Sequence, residues 1–70
     1  MTGSTGIFVN VVDMVDACTR AGIKAKETGD AKLESAAKSV MSACVFHLGK
    51  RHVELPGALR EHYEYLIANL

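Results

Sequence analysis

Cysteine is too scarce here for a disulfide framework: Cys18 and Cys44 allow at most one bridge. Both fall in the middle of apolar stripes, where a free thiol packs as a small hydrophobe. An excess of one charge is also missing. Eight basic and eight acidic residues leave a formal net charge of zero, without the basic surplus usual in nucleic-acid modules. The six glycines are scattered, so no glycine-rich phosphate loop exists. The longest apolar run, Ile7 to Val15, is broken by Asn10 and Asp13 and is far too short to span a bilayer. The opening Met-Thr-Gly-Ser-Thr-Gly lacks the positive region of a signal peptide, which sets a cytoplasmic address as the expectation.

What is present is helical periodicity. Apolar or small residues at 7, 11, 14, 18, 21 and 25 advance by alternating steps of four and three, predicting a helix from about Gly6 to Glu27. The β-branched run Val9, Val11, Val12 and Val15 could propose a strand, but it lacks strict alternation. Residues 1–5 are small and polar, and are expected to fray. Thr28-Gly29-Asp30 is a breaker: Gly29 can take positive φ and Asp30 can cap the next helix. A second helix is predicted over 31–48, with a core stripe of Leu33, Ala37, Val40, Met41, Cys44, Val45 and Leu48. So short a loop forces the two helices into an antiparallel hairpin. Residues 50–55 read as a connector, and Pro56 opens a third helix reaching about Asn69. The predicted fold class is all-α: a long antiparallel hairpin plus a short C-terminal helix.

The first helix carries apolar residues around roughly 200° of its circumference, about twice what a single core needs. Beside the 7-11-14-18 band lies a second one of Phe8, Val12, Val15 and Gly22. A chain of 70 residues buries only about 60% of the surface its unfolded form exposes, so association is a natural route to stability. These features predict a homodimer that joins two hairpins into a helical bundle, with contacts at Ile7, Phe8, Val11, Val12, Val15 and Cys18. The alternative is that the second and third helices cover both bands within one chain.

Candidates for chemistry are sparse. Cys44 and His47 share a helix face, with His52 and His62 elsewhere, but four ligands in a recognisable zinc pattern are not present. Cys18 or Cys44 beside His47 or His62 could suggest a nucleophile and base, yet a chain this size has little volume for a concave site. No cofactor and no enzymatic activity are expected. Lys50-Arg51-His52 is the only basic run; it could grip a phosphate or simply complement a helix C-terminus. In a helix-turn-helix reading the third helix would place Glu61 and Glu64 against phosphates, which argues against direct DNA binding. Protein contact is favoured instead. Phe46 lies off the main stripe of the second helix, and Tyr63 and Tyr65 point about 200° apart, so one is expected to face out. Arg20, Phe46, Arg51, Tyr63 and Tyr65 are therefore the expected partner contacts.

In its layout the chain resembles the small helical proteins that bacteriophages express early to disable host regulators, among them the anti-activators of quorum sensing. The likeness lies in the length of 70 residues, the hairpin over 7–48 with its Thr-Gly-Asp turn, the zero net charge and the lack of a catalytic motif. It includes no short signature, so no functional positions transfer with it. The resemblance implies a compact helical dimer that works in the host cytoplasm, binding a transcription activator and blocking its attachment to DNA. Related small phage proteins act on surface appendage machinery instead. The expected function is thus that of a non-enzymatic binding protein that inhibits or modulates a larger regulator. The alternatives are a small DNA-binding regulator and a structural dimerisation domain.

Overall fold

A computed structural model describes residues 7–70. In chain order it comprises strand β1 (Ile7–Asn10), helix α1 (Val11–Thr28), helix α2 (Ala31–Phe46), strand β2 (His52–Leu55) and helix α3 (Gly57–Ala68). The fold is mostly helical, with α1 and α2 packed as an antiparallel hairpin and α3 lying mainly against α2.

The hairpin forms for the reasons its turn suggests. Gly29 closes α1 in the left-handed region at φ 71°, and its N–H returns to the Ala25 carbonyl. Asp30 then caps α2, its carboxylate accepting from the Leu33 N–H at 3.0 Å. The buried face of α1 is Val11, Met14, Ala17, Cys18, Ala21 and Ala25. Opposite stand Leu33, Ala36, Ala37, Val40 and Cys44 of α2. Leu66 from α3 and Val53 and Leu55 from β2 complete the core.

The first strand replaces the start of the predicted helix. The reason is Asn10, whose side-chain oxygen accepts from the N–H groups of Val12 (2.8 Å) and Asp13 (3.2 Å). That cap fixes the beginning of α1 at Val11 and leaves Ile7, Phe8 and Val9 extended, a conformation that β-branched and aromatic residues favour. The partner strand lies in what the sequence suggests is a connector. β1 pairs antiparallel with β2 in the register Ile7–Leu55, Phe8–Glu54, Val9–Val53 and Asn10–His52. A further bond from Val11 N–H to the Arg51 carbonyl, 2.8 Å, ties the sheet to the helix start. The predicted all-α class is accordingly corrected to a helical fold with a small two-stranded sheet.

Two more expectations change. Helix α2 stops at Phe46, two residues before the predicted Leu48, in a turn where the His47 N–H reaches the Cys44 carbonyl. Val45 and Leu48, expected in the core stripe, are 62% and 66% exposed. The expectation that residues 1–5 fray lies outside the described residues.

Candidate protein-docking surface

The antiparallel hairpin brings the start of α1 beside the end of α2, and apolar surface collects there. Phe8, Val12, Val45, Phe46 and Leu48 are all largely exposed, Phe46 most of all at 84%. A groove of about 400 Å³ is lined by Val12, Val15, Asp16 and Thr19 of α1 and by Leu48 and Lys50 of the segment after α2. Apolar side chains interspersed with charged ones are usual at protein contact surfaces.

The exposed stripe of α1 is turned away from its core. At 100° per residue, Val12, Thr19 and Ile23 fall within about 40° of one another and about 140° from the centre of the Val11-Met14-Cys18-Ala21-Ala25 series. Val12 is 74% and Ile23 57% exposed. The alternative in which the chain's own helices cover both bands of α1 therefore does not hold among the described residues.

The residues expected at a dimer contact divide by position. Phe8 and Val12 are exposed and Val15 is half-buried, so all three are open to a neighbour. Val11 and Cys18 are 4% and 3% exposed and belong mainly to the chain's own core. Ile7 belongs to β1 and pairs with Leu55. The five expected partner contacts are scattered. Arg20 is exposed and pairs with Asp16 at 3.0 Å. Arg51 is exposed, and its carbonyl is the acceptor that secures Val11. Phe46 stands at the apolar end described above. Tyr63 and Tyr65 do not divide into one buried and one exposed; both are half-buried and pack against the core from either side of Leu66. The Tyr65 ring also carries the Lys32 ammonium 4.6 Å above its centroid. Sequence reasoning missed Val45 and Leu48 as surface residues. Leu48 is exposed because α2 ends before it, which leaves no mark on the helical spacing, whereas Val45 lies within α2 about 120° from the centre of its buried face.

Among the described residues neither cysteine is an activated nucleophile. Burial pushes the Cys18 thiol up to about 12, with the adjacent Cys44 adding to the effect. Burial raises Cys44 as well. Thiols held protonated in an apolar core react slowly as nucleophiles at neutral pH. Tyr63 is raised by burial and by the negative charge of Asp13. His52 and His62 are exposed on β2 and α3, whereas His47 is half-buried with a buried Nδ1 that has no hydrogen-bond partner. Among the described residues no three His, Cys, Asp or Glu side chains converge as metal ligands. No helix among them is long and apolar enough to cross a membrane. Comparison with known proteins finds no matching family, curated relative or solved structure.

Proposed function

We propose that this chain is a non-enzymatic binding protein that pairs with a second copy of itself and modulates a larger regulatory protein. The observation that carries the reading is the apolar stripe of α1 turned away from its core, with Val12 74% exposed and Phe46 84% exposed at the same end of the hairpin. Fully burying one such side chain stabilises an assembly by about 1.5–3 kcal/mol.

A standard interface needs about 800 Å² from each partner, roughly a sixth of this chain's 4579 Å². The α1 stripe, its groove and the Phe46 end offer surface of that kind on one molecule. Phe8, Val12 and Val15 form the self-contact, which sets two hairpins side by side as a bundle. Phe46, Arg20 and Arg51 remain for the regulator. In keeping with the layout resemblance, that regulator is a host transcription activator of quorum sensing whose DNA binding is blocked, and the complex works in the cytoplasm.

The test uses tagged wild-type chain and the Phe46→Asp variant, each incubated with host lysate and then purified. The reading expects a regulatory protein retained by wild type and lost from the variant, with both baits equally folded by circular dichroism. Identical retained proteins for the two baits would contradict the role of this surface. Salt-sensitive retention of duplex DNA, lost when Lys50 and Arg51 are replaced, would favour a DNA-binding regulator instead.

A further inference from the structure

We propose that Cys18 and Cys44 are a dithiol site that closes into an intramolecular disulfide by exchange with a small-molecule disulfide, stapling α1 to α2. Three observations carry this. Both residues belong to the core where the two helices meet, at 3% and 0% exposure. The helix contact is lined by Ala17, Ala21 and Ala25 on one side and Ala36 and Ala37 on the other, side chains small enough for close backbone approach. A disulfide needs Cα atoms about 4.4–6.8 Å apart. The third observation is that both cysteines belong to one contiguous buried cluster, near enough for each to influence the other's titration.

The register explains why they meet. Cys18 stands eleven residues before Gly29 and Cys44 fifteen after it, an axial offset of about 6 Å at 1.5 Å per residue. Side chains on a helix tilt toward its N-terminus. On α1 that direction leads away from the turn, and on α2 it leads toward the turn. The two Cβ–Sγ arms therefore lean toward each other and take up the offset.

Access comes from a groove of about 310 Å³ between the helices, lined by Cys18, Gly22, Met41 and Ala37 among others. The Cys18 thiol loses its proton and attacks one sulfur of oxidised glutathione, whose S–S bond breaks to release one glutathione thiolate. The Cys44 sulfur, also losing its proton, then attacks Cys18 Sγ of the mixed disulfide and expels the second glutathione. Two protein thiols are oxidised, and one glutathione disulfide is reduced to two thiols. Because burial holds both thiols protonated, exchange is slow at neutral pH, and equilibrium rather than rate is the quantity to read.

The experiment equilibrates the full chain in an equimolar mixture of reduced and oxidised glutathione, quenches with acid, alkylates in denaturant and records intact mass. The expected product is a monomer lighter by two hydrogens that takes up no alkylating group. Its melting temperature is expected to exceed that of the reduced chain by at least about 10 °C. Two alkylated thiols, a persistent glutathione adduct or a disulfide-linked dimer would each overturn the proposal, as would a cross-linked monomer that melts no higher than the reduced form. The Cys44→Ala chain is expected to stop at a single glutathione adduct. Should that variant fail to fold, the wild-type mass and melting curve decide alone.

Discussion

The Lys24 ammonium, in the last third of α1, donates to the Asn69 carbonyl at 2.6 Å and to the Leu70 main-chain oxygen at 3.3 Å. This contact joins the hairpin to the end of α3, where carbonyls left without helical partners accumulate. Asn69 in turn donates through its side-chain amide to the Tyr65 carbonyl at 2.8 Å. The C-terminal turn is thus held from both sides. α3 is only 12 residues long, too short to persist as an isolated helix in water, so its order depends on such docking.

Lys24→Met keeps the aliphatic stem and removes the donor. Stability is expected to fall by about 0.5–1.5 kcal/mol, read as a lower melting temperature. Amide hydrogen exchange in α3 should accelerate more than exchange in α2. Equal acceleration in both helices would show that Lys24 does not hold α3 in particular.

Asn10 ends β1 and caps α1 through two accepted hydrogen bonds. Asn10→Ala is expected to cost about 1 kcal/mol, and Asn10→Asp should retain most of it, since a carboxylate accepts equally well and suits the helix N-terminus. Chemical denaturation of the three chains checks the ordering. An Asp variant as weak as the Ala variant would remove the cap from the explanation of the strand–helix boundary.

Alkaline pH should destabilise the fold. In the native state Cys18 is raised from 9.0 to about 12 by burial, and Cys44 and Tyr63 are raised for the same leading reason. A group whose native pKa is raised contributes stability in full below its unfolded value, and that contribution is lost as pH rises toward the native one. For Cys18 the window runs from pH 9.0 to about 12. Melting temperature is therefore expected to fall through that range, and to fall less steeply in Cys18→Ala. Parallel wild-type and variant profiles would contradict the attribution.

The hairpin was legible because its signals are local. A series stepping by four and three marks the buried face of α1 from Val11 onward, and Thr28-Gly29-Asp30 supplies both a left-handed closure and a cap. The sheet was hidden because each strand is four residues long and its partner lies more than forty residues away. His52-Val53-Glu54-Leu55 alternates exposed and buried, yet so short a stretch reads equally well as a connector. Ile7 and Phe8 fit the helical phase of the series by coincidence; Asn10, read as a polar face residue, is the cap that separates them from it. The exposed apolar surface was legible in part. Val12 and Phe46 stood out from their phase on the helix, whereas Leu48 became a surface residue only through the early end of α2.

The most direct test of the central claim is the mass of the chain in solution, by light scattering across a concentration series, for wild type and Val12→Asp. Wild type is expected to approach twice its 7.5 kDa chain mass as concentration rises. The Asp variant, with its 74% exposed site leaving the core untouched, should remain folded and monomeric. Wild type holding at the single-chain mass over the whole series would contradict an α1 stripe made for self-association.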